Sequence, residues 1–340
     1  METRLLPAIP ENIALAAETI KAGGLVAFPT ETVYGLGANA LDADAVARIF
    51  AAKERPTADP LIVHLSGLDQ LSRVARSVPT TAQRLAETFW PGPLTLVLSK
   101  QPHVPALVTS GLDTVAVRVP DHAVALALLR AANLPIAAPS ANRFGHVSPT
   151  TAQHVWHDLH GRIEIILDGG ATAVGVESTV LDVSTSPPAI LRPGGIPAEM
   201  LEAVIGPVAV LRRSLPLDQG LPSPGLLEKH YAPRAALIFF IGPTGREALM
   251  AHLAATRAAG RRAGVLAMDE DAPALARGGA VVYRLGADLN SVARHLYAGL
   301  RWLDAQGVDV ILCRDFGTGG LGLAIRDRLT RAAARVVETT

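Results

Sequence analysis

The sequence predicts an α/β protein of two domains, and three observations support that prediction. Segments with helical spacing of apolar residues alternate with short apolar runs along the chain, which is typical of α/β folds. The length of 340 residues is enough for two domains of ordinary size. Between them the sequence becomes rich in proline and glycine, which interrupt regular elements. We therefore predict domains at 1–205 and 235–340, with a linker at 206–234.

The first domain is predicted to alternate strands and helices. Residues 11–22 have helical spacing and run into two glycines, which favour a helix end. Asp42 can cap the next helix with its carboxylate, and further helices are predicted at 122–132 and 151–159. The predicted strands of this domain are 25–28, 61–65, 94–98, 114–119, 136–138, 163–167 and 179–183.

The second domain is predicted to be a smaller α/β domain. Its apolar runs are short and continuous, and helical segments separate them, which favours a buried parallel sheet. The predicted strands of this domain are 235–241, 264–267, 281–285 and 308–313.

Composition and charge narrow the class of protein. Because 49% of the residues are hydrophobic and 18% are charged, the chain can bury a core and is not intrinsically disordered. The net charge is zero, which argues against a protein whose main task is coating duplex nucleic acid. Residues 1–205 have 14 basic and 19 acidic residues, whereas residues 206–340 have 17 and 12. The basic second half either offers a local RNA contact or is a solvated surface.

The remaining composition predicts a cytoplasmic protein without a membrane contact. No apolar run reaches the roughly 20 residues that a membrane span requires. Residues 1–10 lack the basic stretch and apolar core of a secretory signal. The single cysteine, Cys313, cannot form an internal disulfide, which fits a reducing compartment.

The usual nucleotide and nucleophile signatures are missing. No lysine follows a glycine, so there is no Walker A loop, and no G-x-S-x-G elbow occurs. Gly317, Gly319 and Gly322 have the spacing G-x-G-x-x-G, with a tight turn as the alternative interpretation. Only 18 residues follow, so we expect no room for the further strand that a dinucleotide site needs. Cys313 lies in an apolar strand and is expected to be a buried, inert thiol.

Polar side chains lie in or just after the apolar strands of the first domain. Thr32 follows the first buried strand, Ser140 follows the strand at 136–138, and Arg118 and His64 lie in two other strands. Ligands of open α/β sheets bind at the carboxyl ends of strands. A single polar residue at such a position more often has a structural role. Several of them in or just after neighbouring apolar strands indicate a ligand site.

Further segments supply positive charge and hydroxyl groups. Lys53 and Arg55 are two residues apart in a loop held by Pro56. A lysine point charge beside an arginine fork suits a polyphosphate. Ser178 and Arg192 lie in glycine-containing segments that suit an anion or an amino acid, with a turn and a surface arginine as the alternative.

Short strings occur in a fixed order along the chain. They are P-T-E-T-V-Y-G-L-G at 29–37, K-E-R-P at 53–56, D-P-L-I-V-H at 59–64, W-P-G-P-L-T at 90–95, V-R-V-P-D at 117–121, A-P-S-A-N at 138–142, S-P-T-T-A at 148–152, D-G-G at 168–170, G-V-E-S-T at 175–179, L-R-P-G-G at 191–195, S-P-G at 223–225 and H-Y-A-P at 230–233. Together they resemble the threonylcarbamoyl-AMP synthase family of the YrdC/Sua type, in its long two-domain form. The resemblance covers residues 10–235 and is less sharp at 319–334.

This resemblance implies a fold and an activity. The fold is a twisted mixed α/β sheet with a concave ligand face, joined to a small Rossmann-like C-terminal domain. The activity joins L-threonine, bicarbonate and ATP, with Mg²⁺ accompanying the ATP, into threonylcarbamoyl-adenylate and pyrophosphate for the threonylcarbamoyladenosine (t6A) modification of tRNA. No side-chain nucleophile is expected. A transient contact with the tRNA threonylcarbamoyl-transferase machinery is also implied, and direct contact with tRNA is left open.

The resemblance also implies which residues bind the two larger substrates. The implied L-threonine contacts are Thr32, His64, Arg118, Ala138 and Ser178. The implied ATP contacts are Lys53, Arg55, Asp59, Thr114, Ser140, Asn142, Ser148, Arg192 and Tyr231. The last of these lies in the linker, which would then also act as a lid.

The sequence departs from the family pattern at one residue and in two short segments. Asp59 replaces an asparagine, and residues 226–229 and 325–327 differ from the usual strings. A carboxylate beside a triphosphate is repulsive unless a cation or a proton intervenes.

One alternative function is a non-catalytic RNA-binding protein. The other is a carbamoyl-transfer enzyme of hydrogenase maturation, which needs additional domains for which this chain has neither the cysteines nor the length.

Overall fold

The computed structural model describes residues 1–211, 221 and 231–340. These residues form two compact units, each with its own sheet. The first unit comprises Met1–Phe144, Ser148–Ala173 and Glu177–Glu228, and the second comprises Gly145–Val147, Val174–Val176 and Lys229–Thr340. The strings at 223–225 and His230 lie outside the described residues, as does most of the predicted linker. The predicted domain boundaries therefore stay predictions.

The first unit is built on a mixed sheet of eleven strands, which confirms the predicted α/β class. The strands are β1 (Arg4–Pro7), β2 (Val26–Phe28), β3 (Gly35–Asn39), β4 (Ile62–His64), β5 (Leu94–Ser99), β6 (Thr114–Arg118), β7 (Ile136–Ala137), β8 (Ile165–Asp168), β9 (Thr179–Asp182), β10 (Ala189–Arg192) and β11 (Ala209–Val210). Their order in the sheet is β1-β8-β2-β3-β7-β4-β6-β5-β9-β10-β11.

Helices pack on both faces of this sheet. They are α1 (Pro10–Lys21), α2 (Ala43–Lys53), α3 (Thr80–Phe89), α4 (Ala123–Ala132), α5 (Ala152–Leu159) and α6 (Ala198–Ile205), with a 3₁₀ helix at Leu68–Arg73. Successive residues of a strand point to opposite faces. Val26 and Phe28 accordingly pack with α1 and α4, whereas Ala27 belongs to the larger core on the other face. The predicted cap of α2 is confirmed, because the carboxylate of Asp42 accepts from the first-turn amides.

Strand β3 was not predicted, since it contains two glycines and glycine is depleted in strands. The structure shows why glycine is required there. A Cβ on Gly37 would lie 2.7 Å from side-chain atoms of both Ile136 and Phe28. The close approach lets β3 lie between β2 and β7 and brings residues 29–34 against the segment after β7.

The second unit has a parallel sheet, as predicted, but with five strands where four were predicted. Its order is β14-β13-β15-β12-β16. The strands are β12 (Ala236–Ile241), β13 (Ala263–Ala267), β14 (Val281–Arg284), β15 (Val310–Arg314) and β16 (Arg335–Glu338). The helices are α7 (Gly245–Ala258), α8 (Ala272–Arg277), α9 (Leu289–Ala305) and α10 (Gly322–Ala332).

The expectation that no strand follows the glycines at 317–322 was wrong. After α10 the chain forms β16, which ends in the acidic Glu338. In a dinucleotide-binding unit, the glycine-rich turn holds the pyrophosphate. An acidic residue on the strand after the helix binds the ribose of the same ligand. Here β16 pairs with β12 and is separated from β15 by that strand. The topology, and not a lack of room, therefore disfavours a dinucleotide site.

Two further predictions concern the burial of Cys313 and the presence of membrane-spanning helices. Cys313 lies buried in β15, as expected, and burial raises the pKa of its thiol. Within the described ranges, none of the helices combines the length and the hydropathy that crossing a membrane requires.

Candidate active site

Arg118, at the end of β6, is the centre of the predicted threonine contacts. Its Nη1 donates to Oγ1 of Thr32 at 3.0 Å and its Nε donates to the backbone oxygen of Gly92 at 3.2 Å. Its Nη2 lies 2.5 Å from Oε1 of Glu31, and both side chains are almost fully buried. A guanidinium has five N–H donors. These contacts leave donors for the carboxylate of an amino acid, which a planar fork matches well.

His64 lies beside Arg118, at the facing position of the neighbouring parallel strand β4. Burial, and then the positive charge of Arg118, lower the pKa of His64 to about 3. Its ring is therefore neutral at neutral pH, with Nδ1 3.2 Å from the backbone oxygen of Ile62. A neutral imidazole has one donor and one acceptor nitrogen, which suits a hydroxyl group.

Replacing His64 with glutamine is expected to make the protein less sensitive to acid. The pKa of His64 is lower in the folded than in the unfolded state. Its contribution to stability is therefore present above about pH 6.5 and is lost as the pH falls from there towards the folded pKa. The slope of the unfolding free energy, from urea titrations between about pH 7 and pH 4, should fall in the variant by up to about 1.4 kcal/mol per pH unit.

The exposed His157 supplies the control for this measurement. His157→Gln should keep the wild-type slope, because this substitution leaves the buried His64 in place. Equal slopes for His64→Gln and the wild-type protein would contradict the assignment of a buried, neutral His64.

Lys53 forms a second part of the site, at the end of α2. Its Nζ donates to the backbone oxygens of Ser140 and Asn142, at 2.5 Å each. The helix ends here because Glu54 adopts a left-handed conformation. Burial, and then the charge of Arg55, lower the pKa of Lys53 well below its usual value. A phosphate placed here would stabilise the charged ammonium, so the site is matched to an anion.

Arg55 and Asp59 form a buried ion pair next to Lys53. Arg55 Nη2 lies 2.8 Å from Asp59 Oδ2, and the two side chains are 3% and 0% exposed. Arg55 also donates to the backbone oxygens of Asp59 and Pro60, at 3.1 and 3.0 Å. The carboxylate that replaces the usual asparagine is therefore compensated within its own loop. Its repulsion of a triphosphate is offset by this neighbour.

Ser178 and Arg192 are hydrogen-bonded to each other, although the resemblance assigns one to threonine and the other to ATP. Arg192 Nη2 donates to the backbone oxygen of Ser178 at 2.9 Å and to its Oγ at 3.1 Å. Ser178 Oγ also lies 2.8 Å from Oγ1 of Thr95, on the neighbouring strand β5. The two predicted substrate sites therefore adjoin at this point.

Sequence reasoning missed three buried polar residues of the site. Glu31 is the ion-pair partner of Arg118, Thr95 contacts Ser178, and Glu177 accepts a 2.7 Å hydrogen bond from the predicted ATP contact Ser148. Both glutamates lie inside strings already quoted, next to a hydroxyl residue that was selected. For both glutamates the available signal was a carboxylate between apolar and hydroxyl residues at a strand end. Thr95 offered no signal beyond its string.

The remaining predicted residues are spread more widely. Ala138 follows β7 and donates its N–H to the backbone of β4 at 2.9 Å, close to His64. Thr114 begins β6 and is about 13 Å along the strand from Arg118, so the two are not neighbours. Tyr231 belongs to the second unit, where its ring stacks on Tyr297 at 5.6 Å. Its contact with ATP stays a prediction.

Comparisons with known proteins cover nearly the whole chain. Residues 18–194 match a family model described as telomere recombination, and residues 196–334 match one described as threonylcarbamoyl-AMP synthase, C-terminal domain. Threonylcarbamoyl-AMP synthase of Pyrococcus abyssi is 48% identical over 331 residues, which are 95% of this chain and 94% of that protein. The enzyme of Bacillus subtilis is 48% identical over 324 residues, 95% of this chain and 93% of that protein.

A solved structure agrees with these sequence matches. The crystal structure of P. abyssi Sua5 complexed with L-threonine superposes with a TM-score of 0.92 at 45% identity, over 99% of this chain and 100% of that one. The agreement includes both units, and it confirms the resemblance that the ordered strings predicted. The chain therefore belongs to the threonylcarbamoyl-AMP synthase family.

Proposed function

We propose that this chain is an enzyme that joins L-threonine, bicarbonate and ATP to form threonylcarbamoyl-AMP and pyrophosphate, for the t6A modification of tRNA. The observation that carries the proposal is the buried Arg118. It is held by Glu31 and Thr32, keeps donors for a carboxylate, and adjoins the neutral His64. The related P. abyssi protein was crystallised with L-threonine, which supports an amino acid as one substrate.

The threonine site explains how the amino acid is selected. Arg118 binds the carboxylate through its remaining N–H donors, and Thr32 or His64 hydrogen-bonds the side-chain hydroxyl. A site whose buried polar groups pair with a hydroxyl rejects analogues that lack it, because those groups are then left unpaired. We expect valine, which has a similar size, to be excluded on this ground.

The reaction needs positioning and charge stabilisation rather than an enzyme nucleophile. The threonine amine attacks carbon dioxide derived from bicarbonate, loses a proton to solvent and becomes a carbamate. A carbamate oxygen then attacks the α-phosphorus of ATP, and the bond to pyrophosphate breaks. Holding the reactants together lowers the entropic part of the barrier. Lys53 and Arg192 would stabilise the phosphate charge as pyrophosphate leaves.

Mg²⁺ would be held mainly by the phosphates of ATP. In the described parts of the chain, no group of three or more His, Cys, Asp or Glu side chains is placed to hold a metal ion. The buried carboxylates of the site, Glu31, Asp59 and Glu177, are already engaged with Arg118, Arg55 and Ser148. Mg²⁺ commonly keeps several waters and binds substrate phosphates, so a site whose carboxylates are engaged fits an ion that ATP and water would hold. When bound, the ion would neutralise the departing pyrophosphate.

The proposed function is tested by pyrophosphate release from ATP with bicarbonate and Mg²⁺. L-threonine, L-serine, L-valine or no amino acid is added in parallel. Release should depend on both threonine and bicarbonate, and valine should be inert. Release that is indifferent to the amino acid would indicate a plain nucleotide hydrolase. No release from folded protein would contradict the proposal outright.

A further inference from the structure

The second unit has arginines at both edges of its sheet. All five strands are parallel, so they begin at one edge, the amino edge, and end at the other, the carboxyl edge. Six exposed arginines lie at the amino edge: Arg234, Arg257, Arg261, Arg262, Arg277 and Arg335. We call them the arginine row. Four others lie around the carboxyl edge: Arg246, Arg284, Arg314 and Arg326.

Every arginine of the carboxyl edge has a carboxylate partner. Arg246 and Arg314 both pair with Asp271, at 2.7 Å each. Arg284 pairs with Asp269 at 2.9 Å, and Arg326 pairs with Asp315. The positive charge of this edge is therefore cancelled within the unit.

The arginine row is different, because none of its members has a carboxylate within salt-bridge distance among the described residues. Its contacts are to backbone oxygens. Arg257 donates to Gly278 at 2.7 Å and Arg262 donates to Gln306 at 3.0 Å. Asp304 and Asp309 lie at this edge, but each accepts from backbone N–H groups. Six arginines against two aspartates leave an excess positive charge that faces solvent.

The backbone places the row along one edge of the sheet. Gly260, Gly279 and Gly307 adopt left-handed conformations just before β13, β14 and β15, where the chain leaves a helix. The turns at Gly260 and Gly279 place Arg261, Arg262 and Arg277 at the starts of the adjacent strands β13 and β14. With the strand order β14-β13-β15-β12-β16, the row spans four strand spacings, about 19 Å.

We infer that the arginine row is a docking surface for the phosphodiester backbone of RNA, with tRNA as the partner. Charge complementarity supports the assignment, since uncompensated surface arginines gain most from a polyanion. The described residues of the second unit contain fourteen arginines and no lysine. The guanidinium fork matches phosphate oxygens in pairs, and it stacks on bases. The choice of tRNA rests on the proposed function, whose product is destined for that RNA.

The row lies outside the residues that we assign to catalysis, so docking and chemistry are separable. The near-zero net charge of the chain is consistent with this, because the positive excess is local. RNA held here would raise the concentration of the modification target near the enzyme without taking part in adenylate formation.

The test measures binding of an unmodified tRNA transcript to the full chain at several salt concentrations. Arg261→Gln combined with Arg277→Gln removes two row charges. Arg246→Gln combined with Arg284→Gln removes the same charge from the carboxyl edge and is the matched control. We expect the row variant to bind about tenfold more weakly near 0.1 M salt and to lower the slope of log affinity against log salt by about 2. The control should change little.

Equal losses in the two double variants, or no measurable binding by the wild-type chain, would overturn the inference. Competition by polyglutamate as strong as that by RNA would also overturn it, in favour of an acidic protein partner. Pyrophosphate release without RNA should be unchanged in both variants. If the protein releases no pyrophosphate but its RNA binding still depends on the arginine row, the result contradicts the proposed function and supports the docking surface.

Discussion

Replacing Arg118 with alanine is expected to abolish most threonine-dependent pyrophosphate release. The variant loses the carboxylate fork, and we expect kcat/KM for threonine to fall by about 10²–10³. It also leaves Glu31 as a buried carboxylate without its ion-pair partner. Removing one member of a buried pair costs about 3–5 kcal/mol of stability. Steady-state kinetics and urea unfolding measure the two effects.

A second variant separates the loss of folding from the loss of function. Combining Arg118→Met with Glu31→Gln removes both charges, and such replacements of buried pairs are often near neutral for stability. We therefore expect stability to recover while threonine-dependent activity does not. Unchanged kinetics in Arg118→Ala would show that Arg118 does not bind the substrate carboxylate. Recovered activity in the double variant would show that its role is only structural.

Replacing Lys53 with methionine is expected to have the second largest effect, on ATP. The ammonium is buried and donates to two backbone oxygens of the segment after β7. Its loss should lower kcat/KM for ATP by about 10²–10³. Stability should also fall, because the carbonyls of Ser140 and Asn142 lose a donor. The KM for ATP, measured at saturating threonine, is the diagnostic quantity.

Lys100 offers a matched control for this substitution. Its Nζ also donates to a backbone oxygen, that of Val104, at 3.2 Å, and neither residue is among the predicted site residues. Lys100→Met should leave the KM for ATP unchanged. If Lys53→Met behaves in the same way, Lys53 holds the loop and does not bind phosphate.

Much of the protein follows from local patterns in its sequence. The alternation of apolar segments predicts the α/β class, and the cap at Asp42 is formed as expected. Arg118 and His64 were selected because they lie in apolar strands, and Lys53 because it is two residues from Arg55 in a predicted loop. All three are buried in the structure. The order of the strings predicts the family, which the comparisons confirm. These features depend on residues that are near one another in the chain, so a single sequence reports them.

Pairing between distant segments was decided only by the tertiary structure. Arg118 meets Thr32 across 86 residues, and Lys53 meets Ser140 across 87. Both contacts depend on a sheet order in which β3, β7, β4 and β6 are neighbours, and periodicity does not report which strands pair. For the same reason Glu31 was missed and β16 was not predicted. Burial and charge compensation are properties of three-dimensional neighbours, and these neighbours come from remote parts of the chain.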